Sequence, residues 1–524
     1  MNREELFDAV TQVRDGLVDE AARTRPVRKR ISWLKFGAAA AAVVLAVGLG
    51  AGALGGKLPW FSSGLGAAPP ANDEPGGSGG GAGHDEGSTF MFYAGPVFPL
   101  AVPSGGEGLT AQREVCCDFA GWGGLPWPYR LAVTDRCTLD NPTGEEITAT
   151  LFYPFASSLG DLKDDAPVLK VDGAEAETTL RVGSYSGGFQ TVPGGESAGL
   201  LNLEQFHSWE QYRDLLSDGR YLENALGDQR DLSGVPVTVY AFTNYWGPER
   251  DTEKGIPNPT IRAEFDLDYS KTTVLSYGFH GAGIDPDSGH MMQSFSIPRD
   301  SDPENGDTFY LIVLGEDISN LTTQGYATGG SDTRQTVEAG VDVERYAADL
   351  DGALRKAAEQ MYRRCSWWSG WDESERPDFE MYFRLLKEDL TAYGLIADEP
   401  VARYDTGWLQ ETDVVWMERV FYLEAAVTIP AGGSVTVEAA LLKSASFDPY
   451  CAHTENQGVY GYDLMTRLGA GLDFTRQTAR AVNTDGVEIV RQNYGFDWAN
   501  GVDTVTLDPA VERYYLEVRA AQTD

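Results

Sequence analysis

The sequence predicts a mainly β protein: antiparallel β-sandwich-like exported domains with an inserted α-helical hairpin and one N-terminal transmembrane helix. Three observations carry this reading. Residues 36–56 read FGAAAAAVVLAVGLGAGALGG, 21 residues without a charge, with basic residues on both sides. Beyond residue 89 polar and apolar side chains alternate over short runs cut by turn dipeptides, the period of half-buried strands. Between 333 and 396 the period lengthens to that of two amphipathic helices.

Residues 1–35 hold an amphipathic helix and a basic patch. Asn2 stands as its cap and Glu5 at the capping-box position. Leu6, Val10, Val13 and Leu17 make one apolar stripe, and Pro26 ends the helix. An isolated helix of this length is marginal in water. The stripe is therefore read as a partner-binding face at residues 3–21, for a cytosolic regulator, a second copy or the membrane surface.

As a helix, residues 36–56 cover roughly 30 Å, the thickness of a bilayer's hydrocarbon core. Arg23, Arg25, Arg28, Lys29, Arg30 and Lys35 precede the run, and Lys57 alone follows it closely. The positive-inside bias places the N-terminus in the cytoplasm and residues 58–524 outside, as a single-pass cell-membrane protein whose anchor contacts the lipid bilayer. A cleaved signal peptide is the other reading, with Ala51-Gly52-Ala53 as its cleavage-like site. The 35 residues before the run and its length favour an uncleaved anchor. Residues 57–88 are a Gly/Ser/Pro linker, and nothing in residues 62–88 can build a core.

The chain holds 41 Lys+Arg and 79 Asp+Glu; residues 1–57 carry 9 and 6 of them. The remainder has 32 basic and 73 acidic residues, a net charge near −41. Such a surface repels nucleic acid and anionic lipid. It attracts divalent cations or basic ligands, or simply keeps an exported protein soluble.

Residues 89–195 read as the first β-sandwich domain. In a strand through Cys116, Val115, Cys117 and Phe119 face inward; in the next, Leu131, Val133, Cys137 and Leu139 share a face. Cys117–Cys137 is the one disulfide this parity suggests, against free core cysteines; five cysteines leave at least one unpaired. Without a CxxC there is no sign of structural zinc. Asp140-Asn141-Pro142-Thr143-Gly144 is a strong turn before the strand at 147–153. Asp172-Gly173 closes a second hairpin between 168–171 and 178–182.

Residues 196–332 continue the β body as an α+β segment. It has a helix over 199–227, capped by Ser208 and Gln211, and strands at 235–242, 260–267, 272–279, 294–297 and 309–313. Residues 333–397 form the helical hairpin. Val343, Tyr346, Leu350, Leu354, Ala357 and Met361 mark its first helix, and Phe379, Tyr382, Leu386, Leu390 and Tyr393 its second. Residues 398–524 are a C-terminal β domain with strands at 414–429, 434–442, 458–464, 487–492 and 514–518.

Two sets of residues carry a resemblance. Glu5-Leu6-Phe7-Asp8-Ala9-Val10, Gln12, Asp15 and Leu17-Val18-Asp19-Glu20-Ala21, followed by the basic patch and the span, resemble the start of a group of single-pass bacterial membrane proteins. These are described as anti-sigma-factor-like or uncharacterised. Asn141-Pro142-Thr143, Tyr153-Pro154-Phe155 and Val171-Asp172-Gly173 resemble exported β-sandwich modules of the same proteins. The resemblance implies architecture and no activity. Residues 1–35 lack His and Cys, which excludes the zinc-binding type of anti-sigma domain.

Candidate chemistry is sparse. Gly195-Glu196-Ser197-Ala198-Gly199 matches the nucleophile elbow of serine esterases, with His280, His290 or His453 as base. The elbow needs a buried strand before it, and Gln190-Thr191-Val192-Pro193-Gly194 is a poor one. Asp300, Asp302, Glu304, Asn305 and Asp307 offer calcium-type oxygens, but Asn305-Gly306 reads as a hairpin turn. Cys451-Ala452-His453 has no second ligand pair. Trp367, Trp368 and Trp371 either stack on a ligand or partner, or cap the hairpin by packing. The expected function is extracytoplasmic binding or sensing of an unknown ligand, without catalysis, cofactor or nucleic acid. Signalling inward through residues 3–21 is one form of it; an envelope structural or adhesion protein and a serine esterase are the alternatives.

Overall fold

Alternation builds the first long strands. Thr110–Asp118 buries Ala111, Arg113 and Val115 and exposes Gln112 and Glu114. Leu131–Asp140 buries every second residue from Leu131 to Leu139. The two pair antiparallel. Ser434–Lys443 adds to one side and Asp473–Val482 pairs parallel on the other, giving the centre of a seven-stranded mixed sheet. The computed structural model describes residues 90 and 93–521, apart from 125–128, 188–230, 300–305, 330–334, 366–367, 369–370, 393, 397–406, 413, 416–417, 449–453 and 468–471. The expected cytoplasmic helix, span, linker and 199–227 helix lie outside the described residues. Among the described residues no helix is long and apolar enough to cross a membrane. The protein is mainly β, with antiparallel and mixed sheets and few helices.

The strand after the Asp140–Gly144 turn does not pair back as a hairpin. Ile147–Ser157 instead pairs along its whole length with Glu418–Ile429, in a separate four-stranded sheet. The connection from Glu418–Ile429 to Ser434–Lys443 makes the same crossing between the two sheets. Asn141, 1% exposed, locks the two crossings together. Its Nδ2 donates to the carbonyls of Glu145 (2.8 Å), Pro430 (3.1 Å) and Ile429 (3.2 Å), and its Oδ1 accepts from Thr143 N and Oγ1. Cys137, Leu139, Val437 and Ala439 of one sheet share a core with Leu151, Tyr153, Phe421 and Val427 of the other. Segments expected in separate domains, 89–195 and 398–524, thus build the same sheets.

The second expected hairpin turns where predicted, with Asp172 and Gly173 at φ 48° and 83°, the left-handed pair a tight hairpin needs. Its returning strand is Ala174–Glu175. Thr179–Gly187 leaves to pair with Glu418–Ile429.

Between these segments, Pro236–Trp246, Thr272–Tyr277, Phe309–Gly315 and Gly340–Asp349 form one four-stranded sheet. Thr260–Asp266, Gly281–Asp285, His290–Ser296 and Ser319–Tyr326 form another. Phe242, Phe279, Phe295 and Phe309 fill this region with edge-to-face ring pairs, centroids 4.9 to 5.5 Å apart. The first helix of the hairpin begins later than its spacing predicts. Val343 and Tyr346 lie in the strand Gly340–Asp349, paired with Pro236–Trp246. Asp349 then caps the helix Leu350–Arg364, accepting from Gly352 N at 2.8 Å. The second helix, Phe379–Ala392, buries Tyr382, Leu386 and Leu390 as expected.

A second core lies against the C-terminal sheet of Pro96–Val97, Tyr460–Met465, Arg513–Ala520 and Val487–Gln492. The division between cores falls within single strands. Ala111, Cys137 and Leu139 belong to the first core; Val115, Leu131 and Val133 belong to the second. Arg113 and Asp135 stand between them on the same inward face. The suggested Cys117–Cys137 disulfide is overturned by this register, which sets Cys117 opposite Val133 and Cys137 opposite Arg113. Four residues of strand is about 13 Å, well past the ~7 Å Cα limit for a bridge. Both thiols are free, and burial pushes that of Cys117 up to about 12.

Candidate functional site

The helix Leu350–Arg364 buries Leu350, Leu354, Ala357 and Met361. Its register leaves Lys356, Glu359, Gln360, Arg363 and Arg364 on another face, at i, i+3, i+4, i+7 and i+8. That face meets Gly306, Asp307, Thr308 and Tyr310, at the start of the strand Phe309–Gly315. Together these residues line an open cleft of about 440 Å³.

The floor of the cleft is locked. Gln360 accepts from Thr308 N at 3.0 Å and donates back to Thr308 O at 3.0 Å. Arg364 donates through Nε (3.1 Å) and Nη2 (2.9 Å) to the two oxygens of Asp307, whose side chain is 5% exposed. Tyr277 donates to the same carboxylate, and Gly306 N donates to Tyr245 Oη at 2.8 Å.

The rim differs. Lys356 Nζ lies 5.0 Å from the Tyr346 ring centroid and 3.4 Å from its hydroxyl. Arg363 donates through Nε to the Glu359 carbonyl at 3.3 Å. Among the described residues neither cation forms an ion pair, whereas Arg355 and Arg364 do. Burial pushes the Tyr310 hydroxyl up, with Lys356 acting in the opposite direction. The described lining is polar and charged, and has no His, Cys or Ser.

A contrasting cluster sits between the two cores. Arg113 donates to both oxygens of Asp135 (2.7 to 3.1 Å) and to Met465 O, Gln477 Oε1 and Phe98 O. Tyr153 donates to Asp135 at 3.2 Å. Burial pushes the Tyr153 hydroxyl well up, and burial opposes the charge on Arg113 while Asp135 favours it. Arg419, likewise 1% exposed, ties its strand to the second helix through Asp389 (2.8 Å) and Glu388 (2.9 Å).

Of the residues singled out from the sequence, Trp368 is 1% exposed. Its Nε1 donates to Tyr362 O at 2.9 Å, and its ring packs on Tyr362 and Tyr382. Trp371 is partly buried, with Lys163 Nζ 5.5 Å from its centroid. Trp367, Leu6, Val10, Val13 and Leu17 lie outside the described residues, as do Ser197, Cys451, His453 and the acidic loop up to Asn305. His290 pairs with Asp266 at 3.0 Å, and both are partly exposed. Among the described residues no three His, Cys, Asp or Glu side chains are grouped to hold a metal ion.

Sequence reasoning missed both charged clusters. Arg113 and Asp135 carried a signal, charge at inward positions of alternating strands. Lys356 and Arg363 read as the wet face of a helix, because the loop that makes a cleft of that face lies about fifty residues earlier. No protein-family model matches the chain, and no curated protein matches it.

Proposed function

We propose that this chain is a single-pass membrane protein whose extracytoplasmic body binds a ligand at the cleft and performs no chemical step. In this reading the two sheets joined by the Asn141 crossings, one of them mixed through its parallel Asp473–Val482 strand, form a β-sandwich, and the helical hairpin is the element that adds the binding face. Residues 36–56 anchor the body, and residues 3–21 offer Leu6, Val10, Val13 and Leu17 to a cytosolic regulator. The observation that carries the binding role is a concave polar site with a hydrogen-bonded floor and two exposed cations that form no ion pair among the described residues. Pre-organised polar groups in a cavity of this size suit a small ligand. The basic flank and uncharged run in the sequence support the anchoring.

A crosslinking pull-down from intact cells tests the signalling part, comparing the full chain with one lacking residues 2–22 and with Val10→Asp/Val13→Asp. The expected result is a cytosolic regulator captured by the full chain alone. Equal captures from all three would make the head a mere anchor and leave an envelope binding or structural role.

A further inference from the structure

We propose that the cleft takes a small oxyanion, a ligand bearing carboxylate or phosphate groups, with Lys356 and Arg363 as its cationic contacts. This rests on the binding role above and on nothing about the membrane or the cytosolic head.

Beyond residue 57 the chain has 73 acidic residues for 32 basic ones. An unpaired carboxylate is therefore commonplace here, and two cations that form no ion pair among the described residues, lining one concavity, call for a reason. Asp307 does not neutralise them: Arg364 engages both of its oxygens, and Tyr277 adds a third bond. Among the described residues Glu359 is the remaining carboxylate of the lining, so Lys356, Arg363 and Arg364 leave that described lining with a net charge of +1. Favourable interaction with the helix C-terminus explains a cation in the last turn, where Arg363 and Arg364 stand. It does not explain Lys356, two turns earlier, or the concavity. The acidity of the whole body acts weakly at the site, because charges beyond about 8 Å are screened at physiological salt.

The spacing narrows the ligand. Lys356 and Arg363 are seven residues apart on one face, about 10 Å along the helix. The locked Gln360–Thr308 pair lies between them in the chain and leaves its polar atoms engaged with each other. Cations at two ends of a small cavity favour a ligand with two anionic groups over a monoanion.

Isothermal titration of the full chain in detergent tests this, with citrate, inorganic phosphate and acetate at ionic strength matched by sodium chloride. The expected result is saturable binding of citrate or phosphate, one per chain, with acetate weaker; whichever binds better assigns the anionic group. Lys356→Gln and Arg363→Gln should each weaken binding about tenfold, the scale of one charge-assisted hydrogen bond. The double variant should abolish it. Arg519→Gln, whose side chain pairs with Glu488 elsewhere, should leave it unchanged. Both cleft positions are at the surface, and an unchanged circular-dichroism spectrum confirms folding. Absence of saturable binding by both citrate and phosphate overturns the proposal, as does a folded double variant that binds like the parent. Neither result bears on the pull-down, so the two readings fail separately.

Discussion

At the junction of the two cores, Arg113 commits all five of its N–H donors to protein acceptors; at the mouth of the cleft, Lys356 and Arg363 meet no carboxylate among the described residues. Both places hold cations, and burial separates them. The Arg113 side chain is fully buried, so each missing partner would leave a desolvated charge, and the chain supplies five acceptors from four separate segments. The rim cations keep their water, need no partner to be tolerated, and remain available to a ligand. In this molecule ion-paired charge joins the cores, and the two cations without an ion pair among the described residues line an open cleft.

The strongest way to break this contrast is Asp135→Ala, which strands Arg113. It should cost roughly 3–5 kcal/mol, seen as a large fall in the urea midpoint. Arg113→Met/Asp135→Leu, which removes both charges, should cost clearly less.

Asp165 sharpens the comparison from the acid side. It is mostly buried beside Arg130 (2.8 Å), and burial pushes its carboxyl up to about 6, against the pull of Arg130 and Lys443 and the hydrogen bond from Ser157, with Asp161 adding to the rise. A folded-state value above the ordinary one means the folded chain holds the proton more tightly. The associated stability is full below about pH 4 and is lost as pH rises through 6, on the order of 3 kcal/mol. Relative to the parent, Asp165→Asn should therefore be less stable at pH 4.5 than at pH 7. An equal difference at both pH values would contradict this.

Asn141→Ala removes the side chain that ties the two crossings and should cost about 1–3 kcal/mol, measured by the same urea titration. Lys356→Gln/Arg363→Gln should shift stability by less than about 0.5 kcal/mol. A larger loss would make the rim cations part of the fold.

What could be read from the sequence follows the same physics. Alternation fixed faces well: Leu131, Val133, Cys137 and Leu139 are all buried, and the strand Val487–Gln492 falls where expected. It cannot choose a neighbour, so Ile147–Ser157 read as the second arm of a hairpin when its partner is Glu418–Ile429, some 270 residues away. Helical spacing misled at Val343 and Tyr346, where an i, i+3 pair fits an edge strand as well, and only the Asp349 cap shows where the helix starts. The cleft was illegible for a different reason. Its cations are ordinary for an exposed helix face and become a site only when residues 306–310 fold against them.

The most direct measurement is the urea midpoint of the full chain with and without citrate, for the parent, Asp135→Ala and Lys356→Gln/Arg363→Gln. A ligand bound to the folded state alone raises the midpoint. Asp135→Ala should lower the midpoint yet keep the citrate-induced rise, whereas the rim variant should keep the midpoint and lose the rise. A rise that survives in the rim variant, or a rim variant as unstable as Asp135→Ala, would contradict this.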